Sequence, residues 1–136
     1  MPTYRFPVRV YYEDTDFSGA VYHANYLRFM ERARTELLRS LGVEQGGAIS
    51  AGPGTAFGLV VRSVNVEYLK PARMDDMLVI ETTPAVLLAA SFELDQRVLR
   101  GDELIVVSRV RIACVIDGRA ARLPAYVRAA LVSGGA

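Results

Sequence analysis

The stretch Tyr22-His23-Ala24-Asn25-Tyr26-Leu27-Arg28-Phe29-Met30-Glu31-Arg32-Ala33-Arg34-Thr35-Glu36-Leu37-Leu38-Arg39-Ser40-Leu41 decides the fold. Its apolar positions Tyr22, Tyr26, Phe29, Met30, Ala33, Leu37 and Leu41 recur mainly in steps of three and four, which predicts a helix of about five turns. Arg32 and Glu36 lie four apart on the opposite face, a spacing suited to a weak surface pair, and Gly42 supplies a stop. So long an amphipathic helix has to be buried against something. The rest of the chain says what.

Before the helix, Tyr4 to Tyr12 places Phe6, Val8, Val10 and Tyr12 on one face and Arg5, Arg9 and Tyr11 on the other, the period of a strand. After it, the glycine-rich Gln45–Thr55 reads as a mobile connection, without the strand-to-helix setting and lysine of a nucleotide-binding loop. Phe57–Leu69, Met77–Thr83, Ser91–Leu99 and Leu104–Ile116 then read as strands, separated by turn residues at Pro71, Asp75-Asp76, Arg100-Gly101-Asp102-Glu103 and Asp117-Gly118. Pro124 opens a short last helix through Leu131. One strand, one long helix and four more strands joined by short turns make an α+β domain. A five-stranded antiparallel sheet is then wrapped around the helix. The strand edges stay open, so an oligomer is expected.

At 136 residues the chain forms a single domain, 1–136. Its 51% hydrophobic and 23% charged residues are those of a soluble protein, and a net charge of +1 offers no field to attract nucleic acid. One cysteine, Cys114 in an apolar run, excludes an intrachain disulfide and a multi-cysteine zinc site. The N-terminus has no signal-peptide core and no apolar stretch reaches membrane-spanning length, so a cytoplasmic protein without membrane insertion is expected.

The connection between strand and helix carries the chemistry. Glu13, Asp14 and Asp16, with Gly19 and the only histidine, His23, crowd one helix start. Along an extended segment Asp14 and Asp16 point to one side, Glu13 and Thr15 to the other. Each acid taken singly has an ordinary role in capping or turn formation, as His23 has in a hydrogen bond at a helix start. Their combination has a second reading. A carboxylate beside the free N–H groups of a helix start provides a base or nucleophile and a holder for an oxyanion. Spacing does not choose among hydrolase, dehydratase and binding site.

The residues Val8-Arg9-Val10-Tyr11-Tyr12-Glu13-Asp14-Thr15-Asp16, Val21-Tyr22-His23-Ala24, Tyr26, Glu31–Glu36, Val66-Glu67-Tyr68, Pro71-Ala72-Arg73 and Asp75–Leu78 do more. Together they resemble the hotdog-fold thioesterases of the 4-hydroxybenzoyl-CoA thioesterase family, and within it the YbgC branch associated with the Tol–Pal system. The resemblance implies a sheet wrapped around the central helix and a homodimer with active sites at the subunit interface, often doubled to a homotetramer. By the same correspondence Asp16 is the catalytic aspartate, and the His23 backbone N–H polarises the thioester carbonyl. The His23 side chain is also associated with catalysis in that branch. The implied substrate is an acyl-CoA thioester; coenzyme A is part of the substrate, and no metal or other cofactor is expected.

Gly19, Tyr22, Asn25 and Tyr26 are candidates for lining or orienting the substrate, with Asn25 first a brace for the turn and the tyrosines first core. Arg73, Arg119 and Arg122 are candidates for the coenzyme A phosphates, since the arginine fork matches phosphate oxygens. Two departures bear on specificity. Phe17-Ser18 stands where relatives often carry small residues or proline, and Ala85–Ser91 is apolar where relatives often carry basic ones. The second leaves an acyl-carrier-protein thioester open as substrate. A non-catalytic acyl-thioester-binding module is the alternative from another class. A hotdog hydratase would need its own histidine–acid motif, which is not found around the helix.

Overall fold

The computed structural model describes residues 1–43 and 57–134. The glycine-rich Gln45–Thr55 lies outside the described residues. In chain order the elements are β1 (Tyr4–Arg9), a single 3-10 turn (Tyr12–Asp14), α1 (Asn25–Ser40), β2 (Gly58–Tyr68), β3 (Met77–Leu87), β4 (Ser91–Arg100), β5 (Glu103–Ile116), β6 (Arg119–Ala120) and α2 (Ala125–Ser133).

The sheet is antiparallel throughout, in the order β1-β3-β4-β5-β2, with the two-residue β6 added beside β5. It therefore has six strands rather than five, because Asp117 and Gly118, both at positive φ, turn the chain tightly enough for Arg119-Ala120 to pair back on Val115-Ile116. β2 does not pair with its successor β3; it crosses to the far edge and pairs with β5.

Helix α1 buries Tyr26, Phe29, Met30, Ala33, Arg34, Leu37 and Leu38. The first turn expected from Tyr22 is absent, since Tyr22–Ala24 form a turn ahead of the helix. Glu36 pairs with Arg39 at 3.4 Å rather than with Arg32. The core has two parts. Around the helix start lie Val8, Val10, Val21, Phe29, Leu78, Ile80 and Val106; around its finish lie Leu38, Phe92, Leu94, Val110, Cys114, Val127 and Leu131. A polar row separates them: Gln96 donates to the Met30 carbonyl (2.9 Å) and Thr82 Oγ1 (3.0 Å), and accepts from Arg34 (2.9 Å). That satisfies the buried amide, as burial requires.

Candidate active site

The connection ahead of α1 is a small folded unit. After Arg9 the strand does not continue. Tyr12–Asp14 close into a 3-10 turn, and Thr15 and Val21 then bridge to form a hairpin with Asp16–Gly19 at its tip. The Asp16 carbonyl accepts from Gly19 N–H (3.0 Å), while Asp16 N–H donates to the Ala20 carbonyl (2.9 Å). Gly19 has φ +85°, which favours glycine at the turn's last corner. On its other side the hairpin is stitched to the segment before β3. Ala20 bridges Arg73, and Val21 N–H donates to the Ala72 carbonyl (2.8 Å).

This geometry separates the two aspartates that an extended strand would have left on one side. The 3-10 turn rotates Asp14 inward, where it is only 8% exposed. Its Oδ2 accepts from Tyr11 N–H (2.8 Å) and its Oδ1 from the Asn25 side chain (2.6 Å). Asp14 and Asn25 thus tie the turn to the first residue of α1. Asp16 stays exposed at the tip. Ser18 donates both its N–H (2.8 Å) and its hydroxyl (2.5 Å) to Oδ1. Those two bonds, with a smaller contribution from the charge of His23, hold the Asp16 carboxyl below the usual carboxylate range. It is therefore ionised at neutral pH, and Oδ2 accepts from no other residue among the described ones.

The start of α1 is uncapped. Its N-cap residue is Ala24, which offers no side-chain acceptor, and the carboxylates that might have capped it are engaged elsewhere. Among the described residues no acceptor takes the His23 or Ala24 N–H. These are the orphan donors, at the positive end of the helix dipole, that an anion can use. His23 itself is exposed, its ring against Tyr22 (4.7 Å between centroids) and edge-on to Tyr68 (6.1 Å). The Tyr68 hydroxyl donates to the His23 carbonyl (3.0 Å), which fixes the peptide that precedes the helix.

Gly19, Tyr22 and Arg73 share this exposed surface with Asp16 and His23; the Arg73 guanidinium lies over the hairpin, 4.0 Å from where a Cβ on Gly19 would stand. Asn25 and Tyr26 are buried. The Tyr26 hydroxyl accepts from Ala72 N–H (2.9 Å), and burial pushes its pKa up, so in this chain it braces the Ala72 segment. Arg119 and Arg122 are not brought to Asp16 within one chain. They lie at the Val115–Ile116 end of β5, whereas Tyr68 pairs with Val106, nine residues away, or about 30 Å along a strand. Cys114 is buried, which pushes its thiol up and leaves it inert. No group of three or more histidine, cysteine or acidic residues suited to a metal occurs among the described residues, and no helix there is long and apolar enough to cross a membrane.

Residues 10–131 match the model of the thioesterase-like superfamily. The chain belongs to that family. It is 40% identical over 116 residues to the acyl-CoA thioesterase YbgC of Haemophilus influenzae, covering 85% of this chain and 83% of that protein. It is 43% identical over 113 residues to the acyl-CoA thioester hydrolase YbgC of an Escherichia coli strain, covering 82% and 81%. Among solved structures, a probable thioesterase from Bartonella henselae superposes with a TM-score of 0.85 at 40% identity, over 90% of this chain and all of that one. A 1,4-dihydroxy-2-naphthoyl-CoA thioesterase from Synechocystis has the same fold, with a TM-score of 0.89 over 97% of both chains at 24% identity. The protein is thus a hotdog-fold thioester hydrolase of the YbgC-like branch.

Proposed function

We propose that the protein hydrolyses acyl-CoA thioesters to the free acid and coenzyme A, with Asp16 as nucleophile or general base and the His23 N–H as oxyanion donor. One observation carries the residue roles: an ionised, exposed carboxylate beside an uncapped helix start. The names of the YbgC relatives support the substrate class. With Oδ1 held by Ser18, Oδ2 is left to react. As nucleophile it adds to the thioester carbon, the carbonyl oxygen takes the charge, and collapse expels the thiolate and leaves a mixed anhydride for water to open. As base it takes a proton from water, which adds instead. Either oxyanion is served by donors that need no reorganisation. Neither route requires a metal or a cofactor, and the reaction belongs in the cytoplasm with its substrate.

The β2 edge supports a homodimer. Val60, Val61, Val64 and Tyr68 are exposed along it, and its outer hydrogen-bonding edge is free among the described strands. Two copies joined antiparallel through β2 bring the Gly58 end of one against the Tyr68 end of the other. Arg119 of the partner subunit and Arg122 of the partner subunit then approach Asp16 and Arg73 from across the interface, where they can meet the coenzyme A phosphates. Pairs of such dimers form the tetramer. Val64→Arg places a charge on the joining edge and is expected to give monomers with little thiol release. An active monomer in sedimentation would refute the shared site.

The deciding experiment is thiol release over short, long and aromatic acyl-CoA and an acyl-carrier-protein thioester, with Asp16→Asn beside the wild type. The expected loss in kcat is about 10²–10⁴-fold, with folding retained. Full activity in that variant, or binding without hydrolysis by the wild type, overturns the reading.

A further inference from the structure

Behind the Asp16 hairpin lies a pair of residues bonded to the segment that backs it, Asp76 and Arg100. Asp76, half-buried in the turn before β3, accepts with Oδ2 from both Arg73 N–H (2.9 Å) and Arg100 Nη1 (2.8 Å). The same Arg100 nitrogen also donates to the Pro71 carbonyl (3.2 Å). Glu103 holds the guanidinium from its other side, Nε donating to Oε1 at 3.1 Å and Nη2 lying 3.0 Å away. Pro71-Ala72-Arg73 is therefore held at one end by Arg100 directly and at the other by Asp76, which Arg100 holds in turn. Between those grips, Ala72 gives its carbonyl to Val21 N–H and its N–H to the Tyr26 hydroxyl, and Arg73 bridges Ala20. Ala20 in turn takes the Asp16 N–H. The chain of bonds runs from Arg100 through Asp76 and the 71–73 segment to the hairpin tip, and through Tyr26 to the first turn of α1.

We propose that Asp76 and Arg100 are positioning residues: they set the 71–73 segment as the shared backing of the Asp16 hairpin and the helix start, and so fix the distance between carboxylate and oxyanion donor. The inference rests on the reading of Asp16 and His23 given above. Fold support alone does not require such an arrangement. The sheet carries a comparable pair on its outer face, Arg109 bidentate on Asp95 at 2.7 and 2.9 Å, which contacts neither hairpin nor helix. That pair has the same chemistry without the connection. A misplacement of about 1 Å between reacting groups costs roughly a hundredfold in rate, so a loosened backing is read in turnover before it is read in folding.

The test is steady-state thiol release by full-length Arg100→Ala, Arg100→Lys and Arg109→Ala beside the wild type and Asp16→Asn, on whichever acyl-CoA the wild type cleaves best. Arg100→Ala is expected to lose about ten- to a hundredfold in kcat with KM within about twofold. Free guanidinium at non-denaturing concentration is expected to restore part of that turnover. Arg100→Lys keeps the charge and the fold but not the fork, and is expected to retain the same kcat defect without rescue. Arg109→Ala is expected to match the wild type. The proposal is overturned if Arg100→Ala and Arg109→Ala are alike in kcat, if the loss falls on KM, or if both Arg100 variants lose activity only in proportion to unfolded protein by circular dichroism. Asp16→Asn keeps the two readings apart: a fully active Asp16→Asn removes the Asp16 assignment itself, whereas an inactive one beside a normal Arg100→Ala removes only the positioning role.

Discussion

The two ends of helix α1 are finished in opposite ways. At its C-terminal end Leu37, Leu38 and Leu41 meet Phe92, Leu94, Val110, Cys114 and the buried face of α2, so the core is closed by apolar contact. At its N-terminal end the core beneath is just as apolar, but the backbone above it is held by polar bonds: Asp14 to Asn25, Ala72 to Tyr26, Tyr68 to His23. Closure by packing is strong but non-directional. Closure by hydrogen bonds costs more to assemble but fixes direction, which a reaction site needs. Around that second end Tyr11, Tyr12, Phe17, Tyr22 and Met74 stay exposed.

The contrast can be broken from either side. The largest effect expected is the kcat loss of Asp16→Asn described above, with an unchanged melting curve. Asp14→Ala, two residues away, should do the reverse in emphasis. It leaves the buried Asn25 amide and Tyr11 N–H unpaired and is expected to cost about 2–3 kcal/mol in denaturant unfolding. At the packed end, Leu131→Ala removes a fully buried side chain and is expected to cost about 2–4 kcal/mol while the folded fraction keeps its kcat. A kcat defect there would mean that the two ends are not independent. Smallest is Ser18→Ala. Asp16 is held low mainly by Ser18, so its basic form persists until pH falls through that depressed value. Loss of the hydroxyl raises it and moves the acid limb of kcat/KM toward higher pH, with stability unchanged. An unmoved limb would assign that limb to another group.

Much of this was legible residue by residue. The period of Tyr26, Phe29, Met30, Ala33 and Leu37 marks the buried helix, and alternation marks the strands, because burial on one face is a local demand. Asp16 and Gly19 also announce their turn. Asp14 takes the structural role at the turn that its residue type suggests, but its inward direction is not legible, since nothing in Tyr12-Glu13-Asp14 signals a 3-10 turn tied to Asn25, eleven residues on. Asp76 reads as a turn residue within the resembling Asp75–Leu78 and Arg100 as a turn residue alone; their pairing is not legible, because it spans 24 positions and two strands.

By itself the sequence determined one helix, an antiparallel sheet to hold it, and the carboxylate–glycine–histidine connection at the helix start; each follows from spacing along the chain. Only the tertiary structure decided how Asp14 turns inward, why the helix start is left uncapped, that β2 ends at the open edge, and which distant ion pair backs the hairpin. Those outcomes depend on bonds between residues far apart in the chain, and such bonds exist only once the sheet has brought β3, β4 and the 71–73 segment behind the helix.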